Sequence, residues 1–286
     1  EVTNKTGKVV FNELPVCGSI VGDIISDTDI NLYYPNFDLS NQTIKAPNVY
    51  WLSGGQIEFL DGAKIDSNLI HTNGNLIVRG NAEITGDYYI TNADKTANGE
   101  GQLYMNNVDG YLLIHGDFKS DARPGTSDAV SGGMLTAGTM EIKGEFTQAS
   151  TSEGSYAQYG FNASGTHKVI LSGTGEQTVS FEDPGSSDFN ILVNQNSEGV
   201  IFKTEYRYNE LKTFYTIEFK DADGTVLQSG SYSYGDEVTA PSNPNKPADK
   251  TYIYNFIGWN KSVSSCTENT TYIAVYDAVY IDYTVT

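Results

Sequence analysis

Three stretches of this chain align on a glycine: LIVRGNA at 76–82, LLIHGDF at 112–118 and MEIKGEF at 140–146. A fourth, VILSG at 169–173, shares the left half. In all four, the residues two and four before the glycine are apolar: Leu76 and Val78, Leu112 and Ile114, Met140 and Ile142, Val169 and Leu171. That alternation is the period of a half-buried strand. In the first three, an acid or amide and then an apolar residue follow the glycine. IEFLDGAKI at 57–65 is a looser copy around Gly62, in which Glu58 breaks the pattern.

The spacing of the glycines constrains the fold most. Gly62 to Gly80 is 18 residues and Gly80 to Gly116 is 36, twice that; Gly116 to Gly144 is then 28 and Gly144 to Gly173 is 29. Polar insertions, Arg123–Gly133 and Ser150–Gly154, account for the steps of 28 and 29. A recurrent unit of this size predicts a β-solenoid whose rungs stack their apolar positions into one core. A β-sandwich with irregular strands is the alternative. Gly165–Ser180 followed by Phe189–Val193 resembles the late rungs of right-handed parallel β-helix surface proteins. The solenoid is expected over 37–211, with 1–36 as a cap and Val200–Phe202 as the final strand. Lys8–Phe11 and Ser19–Ile25 read as short strands within the cap.

From Tyr215 the pattern changes. Tyr215, Ile217 and Phe219 alternate with polar residues, and Asp223-Gly224 predicts a two-residue hairpin turn. Tyr234-Gly235-Asp236 marks another turn, and Pro241, Pro244 and Pro247 keep the next segment out of a central strand. Strands are expected again at Tyr252–Phe256 and Thr271–Tyr276. The residues Phe219, Asp221, Asp223, Gly224, Leu227, Tyr234, Gly235, Pro241, Pro244, Phe256, Gly258, Trp259 and Tyr276 carry a pattern that resembles the Listeria–Bacteroides repeat. That family is similar to the B-repeat of internalin-type surface proteins, a small β-grasp-like module. The match covers 212–280, about a quarter of the chain. The resemblance implies an extracellular bacterial surface protein with such modules in tandem, and it carries no catalytic residue. It makes Trp259 a core residue and Asp221 and Asp223 turn residues rather than calcium ligands. Tyr283-Thr284-Val285-Thr286 repeats the character of Tyr215-Thr216-Ile217-Glu218 68 residues on. Residues 281–286 therefore read as the start of a further repeat.

The formal net charge of −19 argues against nucleic acid, whose binders carry basic footprints. Solubility of a secreted protein accounts for the acidity, and calcium binding is the sharper alternative. No 18-residue apolar run spans a membrane. Cys17 and Cys266 make no disulfide framework, and two separate thiols are expected.

Catalytic signatures are lacking. His71, His115 and His167 sit in no metal motif, and His115 takes the polar, outward position before its glycine. Asp23, Asp27 and Asp29 cluster without the spacing of a calcium loop. If rungs stack, Asp61, Asp87, Asp109 and Asp117 are the carboxylates on which a polysaccharide lyase or hydrolase would depend. Tyrosines and tryptophan could instead form a sugar platform: Tyr33-Tyr34, Tyr50-Trp51, Tyr88-Tyr89 and Tyr104, of which Tyr34, Trp51, Tyr89 and Tyr104 are the candidate ligand-binding residues. Neighbours in a strand point to opposite faces, so one of each pair is expected outside. The expected role is non-enzymatic: adhesion to a glycan or host ligand at a bacterial surface, with no cofactor. A polysaccharide-active enzyme and a purely structural spacer are the alternatives.

Overall fold

The computed structural model describes residues 2–4, 9–12, 18–19, 22–96, 99–122, 134–151, 160–196 and 198–282. Among them every regular element is a strand, and most strands pair in parallel. The chain divides into two units, Glu1–Leu211 and Lys212–Thr286.

In the first unit the strands form three parallel ladders, which the chain visits in rotation. The first ladder holds Ile24–Ser26, the openings of Thr43–Trp51 and Ala63–His71, then Asn81–Ile84, Tyr111–Ile114, Thr139–Ile142, Lys168–Leu171 and Phe189–Asn194. The second holds Val9–Asn12, Ile30–Tyr33, the ends of the same two long strands, then Tyr88–Ile90, Phe118–Ser120, Phe146–Gln148, Gln177–Phe181 and Val200–Phe202. The third holds Gly18–Ser19, Asn36–Leu39, Gln56–Phe59, Asn73–Val78 and Glu100–Tyr104. It continues as the single bridges Met105–Leu135 and Leu135–Ala163. Strands within 1–36 pair onto these same ladders, including Val2–Asn4 against Ile24–Ser26.

The register corrects one alignment made from the glycines. Leu112, Met140 and Val169 are partners, as are Ile114, Ile142 and Leu171. Leu76 and Val78 are not in that column; they lie in the third ladder opposite Ile57 and Phe59. The residues beneath Leu112 and Ile114 are Ala82 and Ile84, followed by Gly86. Alternating strands that end at a glycine corner occur in both the first and the third ladder, so the local pattern does not say which of the two a strand belongs to. The same register removes the misfit at Glu58. Ile57 and Phe59 face inward, and Asp61, not Gly62, lies against Gly80.

Ile24, Ile44, Ile65, Ile84, Ile114, Ile142 and Leu171 form one buried column. Burying each side chain contributes roughly 1.5–3 kcal/mol. Beside it runs a file of rings: Trp51, His71, Tyr88, Phe118, Phe146, Phe181 and Phe189. The step between partners is 19 residues from Ile65 to Ile84, but 30 from Ile84 to Ile114 and 28 from Ile114 to Ile142. In the longer steps the added residues fall between the second and third ladders, after Ile90, Ser120 and Gln148.

The second unit is a mixed sheet. Tyr208–Lys220, whose first residues belong to the first unit, pairs antiparallel with Val226–Ser233 and parallel with Thr270–Tyr280. The last strand also pairs antiparallel with Tyr252–Trp259. Phe219 stacks on Tyr272 at 4.8 Å and meets Trp259 edge-on, so Trp259 packs against the core while staying half-buried. The loop at Asp223-Gly224 is longer than the expected two residues. Gly224 N–H donates to Asp221 O, Asp221 N–H donates to Thr225 O and Gly224 takes φ +90°. This is the three-residue hairpin loop with a glycine bulge. Asp223 caps Thr225 N–H, and Asp221 accepts from Tyr276 Oη. Cys266 is a buried free thiol; Cys17 and residues 283–286 lie outside the described residues.

Candidate functional site

The outward residues of the first ladder stand in register. Thr43, Lys64, Glu83 and Leu113 are consecutive partners on four neighbouring strands. Strands stack about 4.8 Å apart, so these four span about 14 Å. A groove of about 450 Å3 runs along them, with Gly62, Ala63 and Ala82 also in its lining. Asn41 and Thr43 close one end, and Tyr111 and Leu113 the other.

The walls are held by pairing. Lys64 Nζ lies 3.5 Å from Glu83 Oε2, and His115 Nε2 lies 2.8 Å from Glu83 Oε1. Tyr111 donates its phenol hydrogen to Glu141, whose other oxygen accepts from Ser172 Oγ at 2.6 Å. Burial and then the Glu141 carboxylate raise the Tyr111 phenol above the ordinary tyrosine range. The ring is thus fixed as a neutral, oriented wall. A groove lined by an amide pair, a compensated carboxylate and one aromatic ring can hydrogen-bond a hydroxyl-rich ligand.

The residues expected to bind ligand fall in different places. Trp51 is fully buried, stacked 4.3 Å from His71, with its indole N–H on Gly54 O, so it presents no face to a ligand. Its outward neighbour is Tyr50, and Val49, buried two residues before Trp51, was the signal for that. Tyr34 is 58% exposed and sits at φ +48° before the third ladder. Tyr104 is half-buried and donates to Gln102 Oε1 at 2.7 Å. Tyr89 faces outward on the second ladder and donates to Asp87 Oδ2 at 2.8 Å. None of these four lines the groove; Lys64, Glu83 and Tyr111 do. Tyr111 was legible as the outward residue that opens the LLIHG strand.

The four carboxylates split likewise. Asp109 lies in the exposed connection after Asn107. Asp61 accepts from Asn81 N–H at 2.9 Å. Asp87 and Asp117 are successive members of a corner file in which each carboxylate caps the next turn: Asn68 Oδ1 accepts from Asp87 N–H, Asp87 Oδ1 from Asp117 N–H, and Asp117 Oδ1 from Glu145 N–H. The glycine before each acid makes room, since a Cβ at Gly116 or Gly144 would meet that carboxylate at 2.2 or 2.4 Å. The glycine–acid pairs of the sequence are therefore a stacking device.

Among the described residues no three His, Cys, Asp or Glu converge on a metal position. Asp23 and Asp29 accept from Thr43 N–H and Asn48 Nδ2 respectively. No helix among the described residues is long and apolar enough to cross a membrane. Comparison with protein-family models gives no match. Comparison with curated proteins gives none, and comparison with solved structures gives none.

Proposed function

We propose that this chain is a non-enzymatic, ligand-displaying protein of a bacterial surface, and that its ligand is a glycan held in the groove at Tyr111. The first unit is then a right-handed β-helix, and the second a Listeria–Bacteroides-type repeat, one of several in tandem, that serves as a stalk. The observation that carries this reading is the groove itself: four registered side chains on a stack of strands, beside one oriented tyrosine. A stacked-strand groove suits a linear polymer, because its contact groups recur at a fixed interval of about 4.8 Å. The enzymatic alternative has less support. Asp87 and Asp117, the adjacent pair of candidate carboxylates, are committed to backbone N–H groups.

The test is thermal shift and reducing-end release with plant, host and bacterial polysaccharides, with and without calcium. Stabilisation without cleavage, weakened in Tyr111→Ala, is the expected result. Cleavage would overturn the non-enzymatic reading. Stabilisation that Tyr111→Ala leaves unchanged would overturn the placement of the ligand, and silence with every polysaccharide would remove the glycan.

A further inference from the structure

A second recess, of about 330 Å3, lies on the second ladder around Tyr89. Tyr89, Lys119 and Thr147 are outward partners on three successive strands and form its floor. Asp117 and Glu145 edge it on the side of the corner file, and Lys95 closes it from the connection after Ile90.

Lys95 is held in an unusual conformation. Its φ is +60°, a region that a lysine seldom enters. The turn that fixes it is built by Asn92, whose carbonyl accepts Lys95 N–H and whose side chain accepts Thr96 N–H. The result sets Lys95 Nζ 4.8 Å from the centre of the Tyr89 ring. Non-glycine residues in this region collect at functional sites. Tyr89 itself is fixed by its bond to Asp87.

The charges around the recess select the ligand. Asp87, Asp117 and Glu145 bring negative potential to the phenol end of Tyr89, which repels an acidic sugar. Lys95 over the ring and Lys119, 3.8 Å from buried Asp121, repel a cationic one. An uncharged sugar suits both sides. Its hydroxyls donate to Asp117 and Glu145 and accept from the two ammonium groups, and its apolar face lies on the tyrosine ring in the place of Lys95.

We propose that this recess is a second saccharide site, specific for an uncharged sugar residue, with Tyr89 as its platform and Lys95 as a cover that the sugar displaces. It rests on the glycan reading of the chain but on different residues from the Tyr111 groove. The test is NMR titration of the intact chain with neutral oligosaccharides (linear glucan, mannan and galactan), oligogalacturonate and chitosan oligosaccharide at 150 mM salt. The expected result is shifts at Lys95, Lys119 and Thr147 with a neutral oligosaccharide, at least tenfold weaker with the two charged ones. Those shifts vanish in Tyr89→Ala and persist in Tyr111→Ala. Should Tyr89→Ala fold poorly, Thr147→Trp fills the recess instead and gives the same loss. Shifts confined to the Tyr111 groove would sink this inference and leave the first reading standing. Equal binding of a charged oligosaccharide, or no sugar-induced shift near Tyr89, would overturn it as well.

Discussion

Trp51 and His71 lie face to face in the core, their rings 4.3 Å apart and 15° from parallel. Gly74 O is 3.0 Å from His71 Nε2 and must be met by an N–H, so the proton sits on Nε2 and Nδ1 accepts from Tyr88 Oη, also 3.0 Å away. The imidazole is neutral by necessity, since burial pushes its pKa down to about 3. The buried His167 is driven to about 3 by the same cause.

Acid should therefore destabilise the first unit well above the carboxylate range. The folded pKa of each histidine lies below the unfolded value of about 6.5. Their contribution is complete above pH 6.5 and is lost as pH falls from 6.5 towards 3, by up to about 1.4 kcal/mol per pH unit for each group. Urea unfolding followed from pH 7 to pH 4 measures the slope. A first unit whose stability stays flat over that range would contradict the burial of both rings.

Phe146→Ala should cost about 3–5 kcal/mol, because Phe146 meets Phe118, Phe181 and Phe189 in the ring file and Phe161 beside it, and removing its ring leaves a cavity among them. Thr147→Ala, one residue on and facing outward, should change stability by less than about 0.5 kcal/mol. Denaturant midpoints compare the two.

Gly74→Ala should be among the worst single changes. Gly74 sits at φ +95°, and a Cβ there would meet the Trp51 ring at 2.5 Å. Gly175 has open space around the same added atom, so Gly175→Ala should be nearly neutral. Melting temperatures of the two variants give the contrast directly.

Asp87→Asn keeps an acceptor for Asp117 N–H and removes one charge from a file of like charges, so it should be neutral or mildly stabilising. Asp87→Ala leaves both Asp117 N–H and the Tyr89 hydroxyl without their partner and should cost about 1–3 kcal/mol. Loss of stability in the asparagine variant would mean that the charge, not the geometry, matters.

Cys266 should react with a thiol reagent only after unfolding, and without reductant, since it is buried and free and burial raises its pKa. Release of the thiol only after reduction would show a bridge.

The β-rich character and the strand positions were legible because alternation survives in short segments: Leu112 and Ile114, Met140 and Ile142, Val169 and Leu171 stack as their spacing implies. What the spacing could not resolve was the ladder to which LIVRG belongs, since glycine corners occur in both the first and the third ladder. The candidate site was less legible. Trp51 looked like a platform because tryptophan suits sugars, yet Val49 places it inside. The Tyr111 groove depends on which outward residues meet across four strands, and Lys64, Glu83 and Leu113 acquire that meaning only through register.

The long connections after Ile90, Ser120 and Gln148 all leave the stack at one corner. This corner takes the largest share of the added length, so length there is decoupled from the register of the core. Foreign peptides grafted between Ile90 and Gly99 would then be carried as passengers on a rigid rack, presented at a fixed height above their neighbours.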